Sequence, residues 1–276
     1  LGTATTTVFA PSRWAIVAAE LYFKKAERGK MIMPCGSGKS LTAFWIAQRL
    51  GAKTVVVAVP SLALIKQSIK DWTREYLANG IQPEWLAVCS DETVGDVSKD
   101  EFVSSVYELG IDATTDKDEI ATFLEKHGKG VPRIIFTSYQ SGPVLSEAVL
   151  DASKEIDLLI LDEAHKTVGE KAKRFSTLLA DENLPAKKRL FMTATERVLA
   201  GSVKNDQVYS MDDPGVYGAV FYQLTFKQAI KQKLISDYKI LTVSFSSAEV
   251  DALIENNSLL KDVSEKDREY EAAALA

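Results

Sequence analysis

Lys39 and Ser40 close the run MPCGSGKS (residues 33–40), and far downstream the run LDEAHK presents Asp162 and Glu163 side by side. These residue types can handle a nucleoside triphosphate. Gly36, Ser37 and Gly38 let backbone N–H groups turn inward around phosphate oxygens, and a helix beginning at Lys39 adds the partial positive charge of its N-terminus. Lys39 has the reach and charge for the β- and γ-phosphates, and the Ser40 hydroxyl suits a magnesium ligand. Asp162 would hold the same metal through water, and Glu163 would orient and deprotonate an attacking water. Taken singly, the first cluster would also pass for a Gly/Ser turn, and the second for an acidic helix cap. Taken together they supply phosphate cradle, metal site and base, so a nucleoside triphosphate and Mg2+ are the expected cofactors. The strict phosphate-loop pattern has glycine where Met33 stands, so the match is to its GxGKS core.

Such groups work only when strand ends deliver them. Short β-branched runs alternate with amphipathic stretches, the pattern of βα units around a parallel sheet. Strands are predicted at Met31–Met33, Thr54–Val59, Leu86–Cys89, Arg133–Ser138, Ile156–Leu161 and Arg189–Thr193. Val55-Val56-Val57 and Leu158-Leu159-Ile160 lack polar alternation, as in strands covered on both faces. Ile65, Ile69, Trp72 and Tyr76 share one helical face behind a capping Ser61. Thr115 with Asp118 resembles a capping box, and Phe102, Val106 and Leu109 mark a helix ended by Gly110. A short helix around Phe226–Leu234 and a strand at Lys239–Phe245 are predicted beyond the glycine-rich stretch 197–222. Trp14 and Trp45 read as core residues, Cys35 as packed within its loop, and Lys187-Lys188-Arg189 as a solvated face.

Composition narrows the class. No apolar run approaches the roughly 20 residues that span a bilayer, and the Thr-rich start does not read as a signal peptide. Two cysteines, Cys35 and Cys89, argue against a disulfide framework and for a reducing, cytoplasmic setting. A net charge of −5 gives no global attraction for nucleic acid, which leaves a narrow groove lined by a few donors as the available mode.

On these motifs the chain resembles the first RecA-like domain of a superfamily 2 helicase of the DEAD/DEAH group, over roughly residues 10 to 240. The resemblance implies a RecA-like α/β P-loop NTPase domain, a parallel sheet with helices on both faces. Lys39 and Ser40 match motif I, Asp162 to His165 match motif II, and Thr193-Ala194-Thr195 matches motif III. Val59-Pro60-Ser61-Leu62 resembles motif Ia and Thr137-Ser138-Tyr139-Gln140 motif Ib. The resemblance implies that Pro60, Ser61, Thr137, Ser138, Tyr139 and Gln140 lie on loops contacting a nucleic-acid backbone. It gives His165, Thr193 and Thr195 a part in coupling hydrolysis to movement.

The runs VPSLALIKQ, FTSYQS, LDEAHKTVG and FMTAT are similar, more narrowly, to the motor part of restriction-modification and related phage-defence enzymes. That similarity implies an ATP-dependent helicase or translocase on duplex DNA, with nuclease or methyltransferase modules as possible companions. An RNA helicase and a nucleotide-switched binding module are the competing expectations. The adenine-reading Gln that many members carry before motif I is Ala15 here, leaving Arg13 or Trp14 to stack on a base. Motifs IV to VI, with the arginine finger that accelerates phosphoryl transfer by about 10³- to 10⁵-fold, are absent from the 276 residues. The expected organisation is therefore a first RecA-like domain at 1–205, a linker segment at 206–238 and the start of a second RecA-like domain at 239–276. Alone, such a piece is expected to turn over ATP weakly or not at all.

Overall fold

A computed structural model describes residues 10–90, 109–125, 130–170, 174–199 and 208–237. In chain order these form α1 (Ala10–Tyr22), β1 (Arg28–Ile32), α2 (Lys39–Arg49), β2 (Thr54–Val59), α3 (Leu62–Ala78) and β3 (Glu84–Val88). There follow β4 (Ala113–Thr114), α4 (Lys117–Glu125), β5 (Arg133–Ser138), α5 (Gly142–Asp151), β6 (Leu158–Leu161) and β7 (Gly169–Glu170). The last are β8 (Arg189–Thr193), β9 (Val208–Tyr209), α6 (Pro214–Tyr217), β10 (Ala219–Gln223) and α7 (Phe226–Lys231). Eight of the strands make one sheet in the order β10-β1-β8-β6-β2-β5-β3-β4, and every neighbouring pair is parallel. β7 and β9 pair antiparallel in a separate two-stranded sheet.

The period-2 rule sorts each strand's side chains between two cores. Val55, Val57 and Val59 of β2 face a cluster with Ala15, Phe44, Ile65 and Trp72 of α1, α2 and α3. Val56 and Ala58 face the opposite cluster, with Ile120, Phe123 and Leu145 of α4 and α5. Helices thus cover both faces, which is why the central strands read as unbroken apolar runs.

Three predicted strands, Thr54–Val59, Arg133–Ser138 and Arg189–Thr193, are found with those bounds. β1 begins earlier than predicted because Lys30 is buried within it, its ammonium donating to Glu196 at 2.5 Å and to the Met211 carbonyl at 2.6 Å. β6 is shorter, Ile156 making only a single bridge to Ala186. Ser61 caps α3, its hydroxyl accepting from the Leu64 amide. The cap of α4 is Asp116 and not Thr115: its carboxylate accepts from the amides of Asp118 and Glu119. The helix predicted around Phe102 and the strand at Lys239–Phe245 lie outside the described residues.

Trp14, expected in the core, is 69% exposed, and Ala15 and Ala19 face inward in its place. Trp45 is half-buried, its ring edge-on to Phe44 at 5.1 Å. Residues 206–238, expected as a linker segment, contribute β10 to the sheet edge through pairing with β1. The turn into that strand demands glycine. Gly218 has φ +69, and a Cβ there would meet the Arg28 carbonyl oxygen at 2.0 Å. Gly218→Ala is expected to destabilise the fold by about 3 kcal/mol or more, read as a lowered urea midpoint.

Arg189, read from sequence as part of a solvated face, is 1% exposed. Its guanidinium donates to the carbonyls of Leu178, Ala180, Leu184 and Ala186 and pairs with Asp181, which also holds Arg28 at 2.6 Å. Burial holds its pKa down, at about 10, against the opposing pull of Asp181. Truncating Arg189 to alanine leaves buried carbonyls unpaired, and a loss of about 3–5 kcal/mol in unfolding free energy is expected by urea denaturation.

Candidate nucleotide-hydrolysis site

The carboxyl ends of β1, β6 and β8, three consecutive strands, deliver the chemistry-bearing residues to one edge of the sheet. Beyond β1 the chain turns through Gly36 (φ +75) and Gly38 (φ +88), left-handed conformations that side chains resist, and enters α2. The Ser37 hydroxyl donates to the Pro34 carbonyl at 2.6 Å, closing the loop on itself. The Met33 amide donates to the Thr193 carbonyl at 2.9 Å, tying loop entry to the end of β8. Cys35, expected to pack, is exposed; its sulfur lies 3.9 Å from the Lys39 ammonium.

Lys39 opens α2 with its side chain only 8% exposed and its ammonium 3.3 Å from Glu163 Oε1. The two clusters that are distant in sequence therefore touch. Asp162 is 9% exposed, and its Oδ1 accepts the Glu163 amide at 2.9 Å. Burial first, then the charge of Glu163, push its carboxyl up to about 6, while Lys39 opposes the shift. A divalent cation at Asp162 would reverse that shift by favouring the carboxylate. The donor set fits magnesium: one near-buried carboxylate and the Ser40 hydroxyl, with phosphates and water to complete the shell. Among the described residues no cluster of three or more His, Cys, Asp or Glu forms an all-protein metal cage.

Glu163 sits at φ 49, ψ 45, the left-handed region, which costs a non-glycine residue roughly 1–2 kcal/mol. From there its second oxygen lies 3.4 Å from His165 Nδ1. The Thr193 hydroxyl donates to the Thr195 carbonyl at 2.8 Å, so His165 Nδ1–H is the donor across the 3.0 Å separation from Thr193. Burial lowers the His165 pKa, the Glu163 charge working against it. His165 thus joins the ends of β6 and β8.

The residues read as nucleic-acid contacts are placed less uniformly. Thr137 is fully buried, its hydroxyl donating to the Val88 carbonyl at 3.0 Å. Ser138 is 2% exposed and caps the next turn through the Ser141 amide. Tyr139 is fully buried, its hydroxyl donating to the Asp162 carbonyl at 2.6 Å. Pro60 and Ser61 are buried, Gln140 is half-exposed and Thr195 exposed. Arg13 is exposed on α1, one residue from Ser12, whose hydroxyl accepts from Thr42 of α2 at 3.0 Å.

Supporting residues around the site become visible only in the tertiary structure. The Trp72 indole donates to the Ser40 carbonyl at 3.2 Å, so α3 steadies the start of α2. Thr167, just beyond the DEAH turn, meets the Tyr217 hydroxyl at 2.9 Å. Hydroxyl and indole donors like these carry no motif, because their partners are backbone atoms or distant loops.

A parallel sheet whose phosphate-type loop, acidic strand end and Thr-Ala-Thr strand end converge on one edge defines a RecA-like P-loop NTPase domain. The chain belongs to the family described as Type III restriction enzyme, res subunit, which matches residues 8–197. It is similar to the probable helicase A859L of African swine fever virus (isolate Tick/Malawi/Lil 20-1/1983), 26% identical over 231 residues, covering 82% of this chain and 23% of that protein. Among solved structures it is similar to the ATP-dependent Type ISP restriction-modification enzyme LlaBIII bound to DNA, at TM-score 0.68 and 29% identity, over 85% of this chain and 16% of that one. A nuclease-deletion mutant of the Type ISP enzyme LlaGI, in complex with a DNA substrate mimic, matches at TM-score 0.64 and 25% identity, over 93% of this chain and 23% of that one. The chain spans less than a quarter of each of these proteins. The similarity to the motor part of restriction enzymes, expected from the motifs, is thereby found.

Proposed function

We propose that this chain forms the ATP-binding half of a motor that couples ATP hydrolysis to movement on duplex DNA, in a restriction-modification or phage-defence protein. The observation that carries the reading is the 3.3 Å approach of Lys39 to Glu163 beside the near-buried Asp162. A protein that only binds nucleotide has no need for a base held at the phosphate-binding lysine. Magnesium, when bound, neutralises charge on the β- and γ-phosphates. Lys39 exchanges its contact with Glu163 for the phosphates, and the released carboxylate is free to accept a proton from water. Arg13 and Trp14 offer an exposed guanidinium and ring near α2 for stacking on a base.

The DNA-facing loops are those holding Pro60-Ser61 and Ser138-Gln140. With Thr137 and Tyr139 buried, contact there falls to Gln140 and backbone amides, and at motif III to Thr195. A second RecA-like domain, starting near residue 239, supplies the arginine finger. A cytoplasmic setting suits Cys35 and Cys89, neither of them in a disulfide. Among the described residues no helix is long and apolar enough to cross a membrane.

ATP turnover by the full-length protein carrying this chain, measured with duplex DNA, single-stranded DNA and RNA, tests the reading. Duplex DNA is expected to stimulate turnover most; stimulation by RNA alone would overturn it.

A further inference from the structure

Tyr139 was expected to touch nucleic acid, yet no part of its side chain reaches solvent. Its ring tilts against Phe175 at 5.6 Å, and its hydroxyl donates to the Asp162 carbonyl at 2.6 Å. β5, which ends one residue before Tyr139, and β6, which ends one residue before Asp162, are not neighbours: β2 lies between them. This hydrogen bond therefore joins two loops across an intervening strand.

The bonded carbonyl belongs to the peptide linking Asp162 to Glu163. Rotation of that peptide plane changes the φ of Glu163, which stands at the unfavourable value of 49°. A residue so placed persists only where its surroundings hold it. Here three bonds do so: the Tyr139 hydroxyl on the carbonyl, the Glu163 amide on Asp162 Oδ1 at 2.9 Å, and the Lys166 amide on the Glu163 carbonyl at 2.9 Å. In this conformation the Glu163 carboxylate faces Lys39 and His165. Of the three, only Tyr139 comes from outside the 162–167 turn. A phenol keeps its proton at neutral pH, so the group is a donor to this carbonyl. Tyr139 also opens the turn 139–141, beside half-exposed Gln140 and the cap that Ser138 places on Ser141.

We infer that Tyr139 is a positioning residue for hydrolysis: through the Asp162 carbonyl it holds Glu163 in its left-handed conformation, and it transmits nucleic-acid engagement of the Ser138–Ser141 loop to that carboxylate. The inference rests on the proposed motor function. With the hydroxyl removed, the peptide relaxes and the carboxylate leaves the place of the attacking water. The phosphate loop is untouched, so ATP binding persists.

The test is steady-state ATP hydrolysis by the full-length protein, with and without duplex DNA. Tyr139→Phe is expected to lower kcat by about 10- to 100-fold with KM for ATP within about 3-fold, and to reduce the ratio of DNA-stimulated to basal turnover. Asp157→Asn is the structural control. Asp157 precedes the opposite end of β6, where it accepts from the Lys53 and Thr54 amides and from Lys187. That variant is expected to lose stability at unchanged kcat. Should Tyr139→Phe not fold, Phe175→Leu, which loosens the ring but keeps the hydroxyl, is expected to lower kcat at constant KM to a smaller extent.

A kcat and stimulation ratio within about twofold of wild type in the folded Tyr139 variant, or in Phe175→Leu if that variant stands alone, overturns the inference. So does an equal fall in kcat in Asp157→Asn. If Glu163→Gln abolishes turnover while Tyr139→Phe leaves it intact, the positioning role alone falls. If the wild type does not hydrolyse ATP at all, the motor reading falls with it.

Discussion

Lys39→Ala is expected to weaken binding of ATP·Mg at least about 100-fold in a calorimetric titration. The lysine ammonium is the charge set at the mouth of the glycine turn, already desolvated at 8% exposure, so little further burial cost attends its contact with phosphate. Charge-assisted hydrogen bonds contribute about 1.5–3 kcal/mol each, and contact with two phosphates brings the loss past two factors of ten. The fold itself should suffer little. The ion pair lost with Glu163 is one contact among many, and the core beneath α2 rests on Phe44, Ile46 and Ala47. Unchanged affinity in a folded Lys39→Ala protein would sink the assignment of this loop to phosphate.

Glu163→Gln separates binding from chemistry. The amide keeps the size and shape of the side chain but cannot take a proton from water, so turnover should fall by about 10²- to 10⁴-fold. Affinity for ATP should hold or improve, because the carboxylate that competes with phosphate for Lys39 at 3.3 Å is gone. The substitution also removes the charge that, after burial, most raises the Asp162 carboxyl, so that carboxyl should titrate below its value of about 6. Equilibrium nucleotide binding beside phosphate release distinguishes this pattern from simple misfolding, which would lower both.

The convergence of Lys39, Asp162 and Glu163 on one sheet edge was legible because phosphate chemistry restricts such groups to a few residue types at fixed spacing. The strands Thr54–Val59 and Arg133–Ser138 were legible because a strand buried on both faces is a bounded apolar run. Side chains whose roles depend on distant backbone were not. Arg189 reads as one of three consecutive cations, yet four carbonyls and Asp181 draw it inside. Tyr139 stands in a motif associated with nucleic acid, but its partner is a carbonyl two strands away. β10 was hidden for a different reason. As an edge strand in the run AVFYQ it alternates weakly, and the glycine that seemed to mark a boundary is the residue that lets the chain pass the Arg28 carbonyl. Trp14 shows the limit of composition: a large apolar residue near a core helix face still points outward when Ala15 and Ala19 fill the contact.

In the motor we propose, Lys39, Asp162 and Glu163 form one hydrolytic centre driven by DNA. Single-turnover ATP hydrolysis on duplex DNA, by the full-length wild type and Glu163→Gln side by side, tests it most directly. Expected are bound ATP in the variant at or above the wild-type amount, prompt phosphate release from the wild type and release near background from the variant. Equal release from the two proteins would contradict it.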